Sequence, residues 1–296
     1  MVVSDEGEGP SSPENRRAMV KVIFIASLSH SGSTLLDLML NAHPDVVSVG
    51  ELKQLGRFAR REKVHRKLQC TCGAASLWAC DFWRQVSAHT ERAVGRTIGE
   101  LNVEDYDNQE RFAEDNVALF QAISEMSGKR YVVDSSKHAV RLSLLLENPA
   151  LEVVPIFLLR DPKGQICSSQ KTSSSIIRLI GNYVRTNREI YELVKHRPHS
   201  VVRYEQLVRS PEQVLTVLME DLSLSFNPRQ LEWASQVRHN VGGNGMRRSR
   251  SSQLQLDEKW RDHLTLLQKL TIDAGTLLGR YPFAKSVPPR TVAELP

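Results

Sequence analysis

The chain has 296 residues, 41% hydrophobic and 25% charged, enough to bury the core of one large α/β domain or two small ones. A formal net charge of +5 suits an anionic ligand, but no dense block of Lys and Arg dominates, which sets nucleic acid aside as a partner. No apolar run is long enough to span a bilayer, the start from Met1 to Asn15 is the acidic reverse of a secretion signal, and four cysteines make no disulfide framework, so the expectation is a cytoplasmic protein with free thiols and no stable membrane insertion.

Residues 1–18 read as a disordered tail, poor in apolar side chains. An apolar strand over Val22–Ala26 then runs through small polar residues into a helix over Ser33–Asn41. A strand that turns into a helix N-terminus this way leaves free backbone N–H groups pointing at an anion. The register from Ser27 to Thr34 is that of a phosphate-binding loop, Gly-x-x-x-x-Gly-Lys-Ser/Thr, with Gly32 as its second glycine. Ser27 stands for the first glycine and Ser33 for the lysine that reaches the terminal phosphates of a nucleoside triphosphate, which argues against ATP or GTP chemistry.

A second strand, Val46–Val49, leads to Gly50 and Glu51. Residues 53–130 read as a variable acceptor-side or lid insertion, with a helix over Gln109–Met126. Within it Cys70-Thr-Cys72-Gly and Cys80-Asp-Phe-Trp83 raise a zinc reading, with His65 as fourth ligand. Cys-x-Cys is not the usual knuckle spacing, and the preferred reading is an irregular, metal-free segment packed by Trp78, Phe82 and Trp83.

The third strand, Tyr131–Val133, ends in Asp134-Ser-Ser-Lys137 and is followed by a helix over His138–Leu146. The fourth, Val153–Leu159, ends in Arg160-Asp161-Pro162, where Asp161 and Pro162 have the types of a helix cap and first helical residue. Helices over Pro162–Lys171 and Ile176–Lys195, a strand over Ser200–Arg203 and a helix over Pro211–Asp221 come next. Leu256–Leu278 carries Trp260, Leu264, Leu267, Leu270, Leu277 and Leu278 as a packing stripe, which leaves a homodimer open. Residues 286–296 read as a second tail. Strands alternating with helices imply an α/β three-layer sandwich around a central, mostly parallel sheet, in one domain over 19–285. In such sheets ligands bind at the carboxyl ends of the strands, so Ser29–Thr34, Glu51, Asp134–Lys137 and Arg160–Pro162 should converge on one edge.

These residues resemble the sulfotransferases that use 3′-phosphoadenosine 5′-phosphosulfate. Ser29-His-Ser-Gly-Ser-Thr34 resembles the family's 5′-phosphosulfate loop, and Pro155 through Ser168 resembles its 3′-phosphate motif. The resemblance implies that Ser29, His30, Ser31, Gly32, Ser33 and Thr34 hold the phosphosulfate, and that Arg160 and Ser168 hold the 3′-phosphate. It also implies that Arg247 and Arg248, in Asn240-Val-Gly-Gly-Asn-Gly-Met-Arg-Arg248, belong to a basic loop over the nucleotide. His30 stands where the family commonly has Lys or Arg; it can donate to the bridging oxygen, and is charged only if its pKa is raised.

Glu51, after a strand and a glycine, resembles the base of protein-tyrosine and some bacterial carbohydrate sulfotransferases; His138 is the fallback. Capping the next helix, or pairing with Lys53 or Arg57, is the structural alternative for Glu51. The resemblance implies that Lys137 neutralises charge on the sulfuryl group or leaving phosphate, although it could instead pair with Asp134. The implied reaction moves a sulfuryl group to a hydroxyl, ahead of an amine, of a carbohydrate, lipid, peptide or small-molecule acceptor. It releases 3′,5′-adenosine bisphosphate and requires no metal. The rivals are a small-molecule kinase on the same loop topology and a non-catalytic nucleotide-binding protein of this fold.

Overall fold

Alternation of side chains along the first strand decides the architecture. In β1 (Val20–Ser27), Val22, Phe24 and Ala26 enter one buried cluster and Ile23 and Ile25 enter another, so both faces of the strand are covered. The computed structural model describes residues 19–60, 69–170 and 175–278. In it β1 is the centre of a five-stranded parallel sheet of order β2-β3-β1-β4-β5, with β2 Val46–Ser48, β3 Tyr131–Lys137, β4 Leu151–Leu159 and β5 Ser200–Arg203. The chain passes from β3 across β1 to β4, and that change of direction opens a crevice at the carboxyl ends of the central strands.

Helices cover the two faces. On one side lie α1 (Ser33–Asn41), α8 (Tyr204–Arg209) and α9 (Pro211–Asp221), which contribute Leu36, Met39, Leu207, Leu215 and Leu218. On the other lie α2 (Leu55–Ala59), α3 (Asp81–Val94), α4 (Gln109–Ser127), α5 (Ala139–Leu146) and α7 (Ile176–Val194), which contribute Phe58, Trp83, Phe120, Leu142 and Ile190. A third cluster joins Leu28 to α6 (Pro162–Ser169), α7 and α11 (Leu266–Leu278) through Ile166, Ile180 and Ile272. The expected three-layer α/β sandwich is present, and its sheet is wholly parallel.

Two expectations need correction. The segment after Cys80 is not irregular: Trp83, Val86, Ser87 and Thr90 recur at three- and four-residue steps along α3, and left-handed Gly95 ends it. The stripe over 256–278 is not one packing face. The chain breaks between α10 (Trp260–His263) and α11, so the helical phase restarts; Ile272 and Thr276 are buried while Leu267, Leu270, Leu277 and Leu278 are exposed. The two tails, His65 and the expected helix end at Lys171 lie outside the described residues. Among those described, no helix is long and apolar enough to cross a membrane.

Candidate functional site

Small residues let the loop after β1 turn tightly. His30 and Gly32 both have positive φ, 68° and 93°, and α1 starts at Ser33 directly after Gly32. A Cβ on Gly32 would stand 2.4 Å from Cδ2 of Tyr204, so a close ring as well as the dihedral requires glycine there. Ser31, Ser33 and Thr34 are buried in the turn, while Ser29 and His30 are exposed. The result is a row of amides at a helix N-terminus, a site for an oxyanion.

Arg160 follows β4 and holds this loop from beside it. Its Nη1 donates to the His30 carbonyl at 2.7 Å and lies 3.4 Å from Ser168 Oγ. Nη2 pairs with Asp257 at 3.0 Å, and the guanidinium stacks over the Tyr204 ring at 4.6 Å. Nε is buried beside Gly164 and has no hydrogen-bond partner among the described residues. Asp161 caps α6 by accepting from the Lys163 amide at 2.8 Å, so the cap reading is correct alongside the arginine's own contacts. Gln165, in the same helix, donates to the Ser29 carbonyl at 2.9 Å.

Glu51 lies one residue beyond the Gly50–Val241 bridge, which extends the sheet past β2. Its amide donates to the Val241 carbonyl at 2.8 Å, and Gly50 has φ of 82°, with Val241 O only 2.3 Å from where a Cβ would be. One carboxylate oxygen accepts from Lys137 Nζ and the other from Gln54 Nε2 at 2.6 Å. The side chain is almost fully buried. Burial pushes the carboxyl up, but the Lys137 charge, its hydrogen bond and that of Gln54 hold it below the usual range. Neither Lys53 nor Arg57 is its principal partner.

Lys137 reaches Glu51 because β3 is irregular. Phe24 faces Asp134 but Ala26 faces Lys137, so β3 inserts one extra residue, and Lys137 itself has φ of 67°. Asp134, the alternative partner, is committed elsewhere. It accepts from Arg141 Nε at 2.7 Å and from the Ser136 amide at 2.9 Å, all fully buried.

Between the β1 loop and the end of β3 is a cleft of about 460 Å³, lined by Ser27, His30, Lys53, Lys137, His138 and, from α7, Asn182, Thr186 and Glu189. Ser27 Oγ is buried there with no hydrogen-bond partner among the described residues. His138 stacks on Tyr106, and burial, then the charges of Lys53 and Arg141, lower its pKa. It is therefore neutral near pH 7.

The structure thus brings Ser29–Thr34, Arg160, Ser168, Glu51, Lys137 and His138 to one sheet edge. Arg247 and Arg248 belong to a loop that packs on Thr34 through Gly243 and Asn244; Arg247 Nη1 donates to the Gly242 carbonyl at 2.5 Å, and Arg248 Nη2 to the Gln69 carbonyl at 2.7 Å. Sequence reasoning gave no role to Asp257, Tyr204 and Gln165 on the arginine side, or to Asp37 behind Glu51. Asp37 accepts from Ser48 Oγ, and from Asn240 Nδ2 at 2.8 Å. Only Gln165, three residues before Ser168 and so on the same helix face, carried a readable signal.

A model of the sulfotransferase family matches residues 22–228. Carbohydrate sulfotransferase 5 of Mus musculus is 24% identical over 91% of this chain and 83% of that protein. Carbohydrate sulfotransferase 6 of Homo sapiens is 24% identical over 93% of this chain and 84% of its own. Among solved structures, the sulfotransferase domain from the Synechococcus PCC 7002 olefin synthase superposes with a TM-score of 0.58 at 20% identity, covering 95% of this chain and 100% of that one. The similarity to that structure is one of fold.

Proposed function

The chain belongs to the sulfotransferase family, and on that premise we propose that it transfers a sulfuryl group from 3′-phosphoadenosine 5′-phosphosulfate to an acceptor hydroxyl. One observation carries this reading: an oxyanion loop, an arginine whose buried Nε has no partner among the described residues and a carboxylate–lysine pair share one sheet edge. Two adjoining anion sites, the loop amides and the Arg160 side chain beside them, suit a nucleotide with phosphate groups at both ends, and Ser33 in the lysine position suits a donor without a γ-phosphate.

In the proposed reaction the amides at the start of α1 hold the phosphosulfate, with His30 toward the bridging oxygen. Arg160 and Ser168 take the 3′-phosphate. Glu51 removes the acceptor proton as that oxygen bonds to sulfur and the sulfur–oxygen bond to phosphate breaks. Lys137 shifts from Glu51 toward the transferring group, so that its charge stabilises the in-line transition state while Glu51 loses the partner that keeps its pKa low. His138, neutral and on the cleft wall, is the second candidate base. Arg247 and Arg248 support the covering loop through the carbonyl bonds already described.

Asn182, Thr186 and Glu189 give the cleft a polar wall suited to a hydroxyl-rich acceptor, and we take a carbohydrate as the first class to test, in line with the names of the curated relatives. A cytoplasmic setting belongs to the same reading. Calorimetry with 3′,5′-adenosine bisphosphate tests it. The bisphosphate should bind without added metal and more tightly than magnesium ATP; preference for magnesium ATP would favour the kinase reading.

A further inference from the structure

Three cysteines and a histidine meet at a place that does not line the cleft. Cys70 and Cys80 are buried, His239 is half-buried and Cys72 is exposed, and their four ligand atoms lie within 4.8 Å of one another. Cys72 Sγ is 3.7 Å from Cys80 Sγ, and His239 Nδ1 is 3.2 Å from Cys80 Sγ and 3.7 Å from Cys70 Sγ. A disulfide would need sulfurs about 2.05 Å apart. Tetrahedral zinc, with bonds of about 2.3 Å to sulfur and about 2.05 Å to nitrogen, sets sulfurs about 3.8 Å from each other and about 3.5 Å from the nitrogen.

We propose that Cys70, Cys72, Cys80 and His239 bind one structural zinc ion. The set is a closed Cys₃His tetrahedron with no position left for water or substrate, so the ion takes no part in sulfuryl transfer. Binding releases the three thiol protons, and three thiolates with one neutral imidazole hold the ion. His239 is the fourth ligand.

The surroundings are those of a built site. The Phe82 ring stacks on the imidazole at 4.6 Å with 15° between planes, and Trp83 Nε1 donates to the His239 carbonyl at 2.9 Å. Both fix the histidine's orientation. The Gly73 amide donates to the Cys70 carbonyl and the Cys70 amide to the Ala74 carbonyl, each at 3.1 Å, which closes the chain into a tight turn around the thiols. The Asn240 amide donates to Thr71 Oγ1 at 2.9 Å and Arg248 Nη2 to the Gln69 carbonyl at 2.7 Å, so the backbone of the two segments is already joined. Without an ion the four ligand atoms themselves make only weak S–H contacts, which do not account for their tetrahedral spacing.

The consequence is mechanical. His239 precedes Asn240 and Val241, and Val241 pairs with Val49 and Glu51 along the sheet edge. A zinc clip there fastens the 69–80 segment to the bridging residue that backs the proposed base.

Metal analysis of the full chain, expressed in zinc-supplemented medium and purified without chelators, should give one zinc per chain, released when a mercurial titrates the thiols. Cobalt reconstitution should give thiolate-to-cobalt charge transfer and the visible bands of a tetrahedral ion. Cys72→Ser and His239→Gln should lose zinc to a competing chelator at least tenfold more readily than the unmodified chain, while His65→Ala retains it. Absence of zinc from both purified and reconstituted protein, a cobalt spectrum without thiolate bands, or a Cys72–Cys80 disulfide found by mass spectrometry would overturn the proposal.

Discussion

Asp257 determines what Arg160 can offer. Its carboxylate shares Nη2 of the arginine, is only partly exposed, and is held below its ordinary pKa by the guanidinium's hydrogen bond and charge despite partial burial. On the proposed reading, a 3′-phosphate bound at Arg160 would meet this negative charge. Asp257→Asn keeps the shape and removes the repulsion, and should tighten bisphosphate binding by about threefold to tenfold in calorimetry, in the range of a partly exposed ion pair. An unchanged or weaker affinity would remove Arg160 as the 3′-phosphate ligand. Proximity of this kind is absent from the sequence, since the two residues are separated by 97 positions. Arg160 itself is legible because it is the first charged residue after an apolar strand.

At the scale of the element, the extra residue in β3 and the buried pair beneath it aim Lys137. Arg141 donates to Asp134, to the Val103 carbonyl at 2.7 Å and to Asn116 at 2.7 Å, so one guanidinium joins α5, β3, α4 and the chain before α4. Arg141→Ala would strand a buried carboxylate and should cost about 3–5 kcal/mol of unfolding free energy in a urea titration. A loss within the range of a surface substitution would contradict that account. The strands of this sheet are legible because buried parallel strands read as runs of Val, Ile and Leu. The one-residue offset in β3 is not, because a bulge is a relation between two strands. Helix α3 was within reach: Trp83, Val86 and Thr90 step at helical spacing, but the cysteines ahead of them suggested an irregular segment.

For the molecule as a whole, Asp37 links stability to pH. Burial pushes this carboxyl up from the ordinary 3.8 to about 6, against hydrogen bonds from Ser48 and Ser135. A raised carboxyl favours the folded state most below the unfolded pKa, and that contribution is lost as pH rises through the folded value. Over this window the loss is on the order of 3 kcal/mol. Asp37→Asn removes the titration, and Asn240 Oδ1, buried with no hydrogen-bond partner among the described residues, can turn to accept from the new amide. The variant should therefore gain on the unmodified chain by that order between pH 4 and pH 8 in denaturant titrations; a gain that does not grow with pH would refute it. The central claim concerns chemistry at the sheet edge, and transfer of radiolabelled sulfate from 3′-phosphoadenosine 5′-phosphosulfate to a panel of hydroxyl-bearing carbohydrates tests it most directly. The account predicts labelled acceptor and adenosine bisphosphate in equal amounts, with turnover at least about a hundredfold lower in Glu51→Gln and bisphosphate affinity unchanged. Labelled sulfate released with no acceptor labelled, or Glu51→Gln turning over at the unmodified rate, would contradict it.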